Sequence, residues 1–397
     1  KYYFEAIFKG FFFPDGDKPC WESVNVLQKL FMKWFNKERT HEVMTFPVET
    51  FNLLNDGNGD YKDKENAEFC AEMLAEGHSF FIYQSDSPDA LASCCRLRNA
   101  LENNEFSYTL GAGGIETGSK GVITLNLNRI VQDWKNEGCK VTLKERITEI
   151  TERVHKYLSA FNDIVWDYYN NGMLQIYNEG FINLDKQFLT IGINGFVEGA
   201  EFLGYRISPD DENYKQYAID ILTTIKDLNK RDRQPHCKFN TEFVPAESLG
   251  VKNAKWDKQD GYWVPRDVYN SYFYIVEDTH TTPLEKFELM GKDFTGCLDG
   301  GSALHMNLDE HLSKAQYEML MKVAVKDGCN YFTFNIPNTV CNDCGHISKQ
   351  NLKACPKCGS TNLDYLTRVI GYLKRVSNFS EARQREAKRR YYADNIQ

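Results

Sequence analysis

The chain has 397 residues, 42% of them hydrophobic, and a formal net charge of -9. That length allows one large domain or two to three ordinary ones around a sizeable core. The acidic balance argues against a general nucleic-acid binder, and no apolar run reaches the ~18 residues of a membrane-spanning helix. Twelve cysteines are many. They form no short disulfide framework, so a reducing, cytoplasmic setting is expected. Residues 1–16, KYYFEAIFKGFFFPDG, lack the small-residue cleavage site of a signal peptide and read like the middle of a domain.

Strand-like runs are expected around residues 45–53, 80–83, 121–126, 189–194, 238–243, 272–276, 303–308 and 331–335. Helical patterns lie between several of them. Thr142 and Glu145 have the spacing of a capping box, in which each side chain satisfies an orphan backbone N–H. Apolar residues then recur at Ile147, Ile150, Val154, Leu158, Phe161 and Val165, three or four apart, until Asn170, Asn171 and Gly172 supply a stop. A second helix is expected over 213–228. A third starts at Ser313, has Gln316 three residues on, buries Tyr317, Leu320, Met321 and Ala324, and stops at Gly328. Strands alternating with such helices predict an α/β architecture. Residues 340–366 break the pattern with polar turns and four cysteines. The charged tail from Ser377 reads as helical. The expected division is therefore a catalytic body at 1–339, a metal module at 340–366, and a terminal loop and tail at 367–397.

The sharpest local pattern is Cys341-x-x-Cys344-Gly followed, after ten residues, by Cys355-x-x-Cys358-Gly. Each pair lets two thiolates bend onto one ion, and the glycine permits the tight turn of a metal knuckle. Four thiolates filling every position form the pattern of structural zinc. Two disulfides or a redox dithiol are the alternatives, and His346 is a bystander. Just beyond lies Arg368-Val-Ile-Gly371-Tyr-Leu. As a plain structural element this is a short strand with a glycine bend. Glycine is also the residue whose Cα radical meets no side chain in becoming planar, so the unpaired electron delocalises over the flanking amide N and carbonyl. A third element is Ser93-Cys94-Cys95-Arg96. Vicinal cysteines lie about 3.8 Å apart at Cα, below the usual disulfide span. They are either two small buried residues or a thiol carried on a loop tip.

The four-cysteine module followed directly by R-x-x-G-Y, with a Cys-Arg tip roughly 280 residues upstream, resembles the anaerobic (class III) ribonucleotide reductases. The run Gly121-Val-Ile-Thr-Leu-Asn-Leu-Asn128-Arg129-Ile130 resembles a strand motif of that family. So do Phe46-Pro-Val-x-Thr50-x-Asn52 and the tail Val376-Ser-Asn-Phe379. The resemblance implies a ten-stranded α/β barrel of the glycyl-radical type, incomplete at its N-terminal side, plus a zinc ribbon and a radical loop. It implies a radical stored on Gly371 and a transient thiyl on Cys95, with Cys94 as the fallback. Substrate-side residues by the same match are Ser119 and Asn126, with Pro245, Ala246, Glu247 and Ser248 in a family turn. Ser119 stands where some members have an asparagine that positions formate. The stretch from Gly192 to Glu198 resembles a core strand and helix start, whose N–H groups suit phosphate.

The resemblance further implies reduction of ribonucleoside triphosphates to their 2′-deoxy forms. The reductant would be formate or a thioredoxin-like dithiol protein. An activating enzyme would carry the iron–sulfur cluster and S-adenosylmethionine. The implied partners are that activase, a possible separate N-terminal chain completing the barrel, and a second copy in a homodimer of the full enzyme; neither membrane nor nucleic acid is expected. A pyruvate formate-lyase relative is the alternative enzyme, although those generally lack the zinc ribbon. A zinc-ribbon binding module and an inactive fragment are the non-enzymatic alternatives.

Overall fold

The computed structural model describes residues 1–88, 90–93, 97–100, 118–244, 247–369 and 371–394. It resolves into two compact units, one of Lys1–Pro88, Val276–Phe287 and Ala303–Gln397, the other of Asp89–Ile275 and Glu288–Ser302. None of its described helices is long and apolar enough to cross a membrane.

The first unit contains a four-stranded sheet in the order Thr50–Leu54, Phe81–Ser85, Tyr331–Asn335, Leu304–Asn307. Its two outer pairings are parallel and its central pairing is antiparallel. The last three of these strands are buried at every position. That burial takes in polar residues as well, among them Gln84, His305, Asn307, Thr333 and Asn335. The helix Lys314–Asp327 forms both halves of its capping box and buries Tyr317, Leu320, Met321 and Ala324, as expected. Gly328 closes it with φ +73°, a left-handed turn that a side chain would strain. A second sheet is wholly antiparallel, ordered Ile347–Ser348, Asn338–Cys341, Leu363–Thr367, Lys374–Arg375. It has its own small core of Val340, Ile347 and Leu366.

The second unit is built on a parallel sheet of Gly118–Asn126, Gln187–Asn194 and Phe239–Glu242, with Gln187–Asn194 central and fully buried. The helix Leu143–Asn170 starts at the Thr142–Glu145 capping box and buries Ile147, Val154 and Leu158. A hairpin pairs Ala90–Ser93 with Leu97–Ala100.

Two expectations fail. The helix over 213–228 is broken into Glu212–Ala218, a π turn at Ile219–Thr223, and Thr224–Arg231. Residues 272–276 form no strand. Their rings pack into the core instead: Phe273 lies against Phe196, Phe243 and Phe294, and Tyr272 stacks on Tyr274. The Tyr214 hydroxyl donates to the Phe273 carbonyl at 2.7 Å, so a side chain satisfies a backbone acceptor that a ladder would otherwise use. The α/β class is observed. The described strands pair in four sheets, and these pairings do not show the ten-stranded barrel, which was expected to be incomplete in this chain.

Candidate functional site

The four cysteines converge. Their sulfurs all lie within 4.8 Å of one another, and Cys341–Cys358 and Cys344–Cys355 are each 3.6 Å apart. A disulfide would need about 2.05 Å. A tetrahedral ion with metal–sulfur bonds of about 2.3 Å spaces its sulfurs about 3.8 Å apart. The thiols therefore have the spacing of a metal tetrad and not of two bridges. Local turns build this: Gly345 N–H donates to the Cys341 carbonyl at 3.0 Å and Gly359 N–H to the Cys355 carbonyl at 2.9 Å. Both glycines sit at positive φ, +72° and +74°. Asp343 ties the two knuckles together by accepting from Ser360 Oγ and Asn362 Nδ2. His346 offers its backbone carbonyl to Cys341 N–H and takes no part in the tetrad.

The segment leading to Gly371 is held from three directions within the same unit. Asn335, at the end of a sheet strand, accepts from Arg368 N–H at 2.9 Å and donates through Nδ2 to the Arg368 carbonyl at 3.2 Å. From the tail, Arg390 donates to the carbonyls of Arg368 and Val369 at 2.9 and 3.2 Å. Glu386 in turn grips Arg390 and Arg383, both at 2.5 Å. Burial pushes the Glu386 carboxyl up, but these two guanidinium groups more than offset it and hold it below its ordinary value. The third grip is the buried Arg368 side chain. Its Nε and one terminal nitrogen donate to Ser79, and the other terminal nitrogen donates to the Gly371 carbonyl at 2.7 Å. The guanidinium lies over the Phe81 ring, 4.9 Å from its centre. Burial, with Arg39 nearby, pulls its pKa down to about 9. Val369 and Phe379 form a small apolar cluster with Tyr372 against them, and the Tyr372 ring stacks on Phe46.

The other predicted residues belong to the second unit. Cys94, Cys95 and Arg96 lie outside the described residues, between strands in which Ser93 pairs with Leu97. Pro245 and Ala246 also lie outside them. Ser248 is exposed at the start of the helix Leu249–Gln259, and Glu247 beside it is half-buried. Ser119 sits at a register irregularity in its strand, and its hydroxyl donates to the Gly121 carbonyl. The stretch after Gly192 is interior: Phe196 to Ala200 are buried, and Glu198 accepts from Arg266 and from the backbone and side chain of Asn270.

Asn126 proves to be the edge of a network that sequence reasoning missed. Its Oδ1 caps the helix Leu127–Asn136, while its Nδ2 faces both oxygens of the buried Asp257 at 2.9 and 3.0 Å. Asp257 also accepts from Asn128 at 3.2 Å, from the Tyr269 hydroxyl at 2.7 Å and from Arg129 Nε at 2.7 Å. The only local signal was Asn-x-Asn-Arg at a strand-to-helix junction; the acceptor is some 130 residues away.

Comparison with known proteins decides the family. A family model described as anaerobic ribonucleoside-triphosphate reductase matches residues 13–392. The chain belongs to that family. Among solved structures it is similar to one described as an anaerobic ribonucleotide reductase, with 29% identity and a TM-score of 0.86 over 99% of this chain and 63% of that one. It is similar also to the anaerobic ribonucleotide reductase from Thermotoga maritima in complex with dATP and CTP, with 29% identity and a TM-score of 0.80 over 96% of this chain and 63% of that one. A glycyl radical enzyme from Archaeoglobus fulgidus shares the fold, at 14% identity and a TM-score of 0.63 over 95% of this chain and 56% of that one. The chain thus spans about 63% of the length of the reductases it matches. Curated protein sequences give no match.

Proposed function

We propose that this chain carries the radical-storage and thiyl-bearing part of an anaerobic ribonucleoside-triphosphate reductase. The observation that carries the reading is the R-x-x-G-Y segment, joined directly to a four-thiol tetrad and held by Asn335, Arg390 and Arg368. The family match to residues 13–392 supports it. Gly371 stores the radical after an activating enzyme, using S-adenosylmethionine and an iron–sulfur cluster, removes one Cα hydrogen atom. When substrate binds, Cys95 gives its thiol hydrogen atom to Gly371 and becomes the thiyl, with Cys94 as the fallback. The thiyl takes the 3′-hydrogen of a ribonucleoside triphosphate. The 2′-hydroxyl takes up a proton and leaves as water. Two electrons and a proton from formate or a dithiol protein then place hydrogen at that carbon. The 3′-hydrogen returns from Cys95, which recovers its own from Gly371.

The residue types suit these steps. Thiol S–H and ribose C–H bonds have similar strengths, so the exchange is nearly reversible, while the glycine lies lower and acts as the reservoir. Such transfers need near-contact geometry, and a displacement of about 1 Å costs on the order of 100-fold in rate. Structural zinc on Cys341, Cys344, Cys355 and Cys358 would fix the ribbon strand Leu363–Thr367 that runs into the glycine segment. Ser119, Asn126, Glu247, Ser248, Pro245 and Ala246 remain substrate-side candidates; Asn126 acts through the Asp257 network in this reading. The Thermotoga maritima relative is described in complex with dATP and CTP. Nucleotide effectors, a homodimer of the full enzyme and a cytoplasmic setting belong to the same proposal. So does completion of a ten-stranded barrel by residues outside this chain, in the same or a separate polypeptide.

The test is anaerobic activation of the complete enzyme. A glycyl doublet in electron paramagnetic resonance is expected, and brief exposure to air should then cut the chain near residue 371. An intact, spectroscopically silent chain would refute the reading.

A further inference from the structure

The Arg368 side chain does something that the radical-storage reading does not require. Its guanidinium is buried, and among the described residues no carboxylate pairs with it. Its acceptors are neutral: the hydroxyl and carbonyl of Ser79, and the carbonyl of Gly371 at 2.7 Å. The Phe81 ring lies 4.9 Å beneath it. Two contacts to Ser79 and a ring face leave the group little freedom to follow the glycine if the glycine moves. The positive charge thus reaches the Gly371 carbonyl oxygen from a seat on Ser79 and Phe81.

That oxygen is the electronically relevant one. A radical on the Gly371 Cα is conjugated on one side with the Gly371 amide nitrogen, which gives electron density, and on the other with the Gly371 carbonyl, which accepts it. A cationic donor on the carbonyl oxygen strengthens the accepting side. It also keeps the carbonyl in one plane with the Cα substituents, the geometry that conjugation needs.

We propose that Arg368 is a positioning residue for the stored radical: its guanidinium fixes and polarises the Gly371 carbonyl and so deepens the radical's resting state. This rests on Gly371 being the radical site. Loss of the donor should lower both the yield and the lifetime of the radical. A hydrogen bond to a charged group accounts for roughly a ten- to hundredfold change in an equilibrium population. A purely structural clamp would change how well the loop is ordered without altering the radical's electronic signature.

The experiment uses the complete enzyme with its activase and compares the wild type with Arg368→Met and Arg368→Lys. High-field electron paramagnetic resonance reads the principal g values of the glycyl doublet. Electron–nuclear double resonance reads exchangeable protons near it. In the wild type a further exchangeable proton coupling, beyond those of the backbone amide protons and also removed in D2O, is expected from the guanidinium N–H. In Arg368→Met that coupling should vanish, the largest g value should rise, and the radical should persist roughly ten- to hundredfold less, by the same hydrogen-bond magnitude. Arg368→Lys, which keeps the charge without the fork, should recover part of the shift. If the wild type shows a doublet whose exchangeable couplings are those of the backbone amide protons alone, the proposal is overturned, even if the Met variant fails to fold. Unchanged g values and lifetime in a folded Met variant overturn it as well. No doublet in the wild type would instead sink the assignment of Gly371 itself.

Discussion

The ribbon with its glycine segment and the parallel-sheet unit are organised by opposite means. In the ribbon, chemistry is short-range: four cysteines within 18 residues converge through two glycine turns, and Gly371 follows 13 residues later. In the parallel-sheet unit the decisive contacts are long-range. Asp257 gathers Asn126, Asn128 and Arg129 across about 130 residues, and its hub exists only once the sheet and its helices have packed. A local site can be inferred from spacing and disrupted at one ligand. A distributed site is invisible in spacing, and its disruption leaves several buried groups without partners at once.

This contrast makes predictions that differ in size and kind. The largest concerns Gly371. Gly371→Ala should abolish the glycyl doublet and all turnover while leaving the melting temperature of the sheets nearly unchanged. Residual turnover at more than trace level would place the radical elsewhere. Next is the tetrad. Cys344→Ser, or extraction by a strong chelator, should release one equivalent of zinc by elemental analysis. It should also melt residues 338–375 selectively, because a structural four-thiolate site supplies about 10–16 kcal/mol of apparent binding free energy. Hydrogen exchange should show the strand Gln187–Asn194 still protected; equal loss there would show that the ribbon is not a separate unit of stability.

In the distributed site, Asp257→Ala leaves the Arg129, Asn126, Asn128 and Tyr269 donors without their acceptor. The expected cost is about 3–5 kcal/mol, read by denaturant unfolding, with Asp257→Asn milder. A loss below about 1 kcal/mol, no more than one ordinary hydrogen bond, would mean that water replaces the carboxylate freely. Gly192 tests packing in the same sheet. An added Cβ would clash with Thr124 Oγ1 and with Val244 Cγ2, so Gly192→Ala should cost about 1–3 kcal/mol.

The smallest effect is a pH dependence in the tail. Glu386 has a folded pKa held below its ordinary value. Its ion pairs with Arg383 and Arg390 therefore stabilise fully above about pH 4.3, the unfolded value, and that stability is lost as pH falls through the lower folded value. Amide exchange at residues 381–390 should accelerate over that acid range in the wild type. In Glu386→Gln it should already be fast at neutral pH and change little. A wild-type tail insensitive to acid would show that the Glu386 ion pairs do not hold it in place.

The sequence legibly marked what local chemistry controls. The capping boxes at Thr142 and Ser313 formed because each satisfies its own orphan N–H groups within three residues. The cysteine spacing predicted a tetrad, and the sulfurs stand at tetrad distances. Where a competing partner came from far away, the same rules misled. Residues 272–276 carry the composition of a strand, yet Tyr214 satisfies their backbone and aromatic neighbours claim their rings. The helix Trp21–Glu38 carries Val24, Leu27, Phe31 and Trp34 at helical spacing and yet leaves all four exposed.

For the candidate site, the sequence by itself determined the ligand set, the glycine and their order, because turns and knuckles are closed by neighbours along the chain. Tertiary structure decided what surrounds them. Asn335 and Ser79 reach the glycine segment from strands and loops 33 and 289 residues removed from Arg368. Asn126 became part of a carboxylate hub instead of a free side chain. Buried hydrogen-bonding groups must find partners, and which partners they find is settled by the packing of elements that no local pattern specifies.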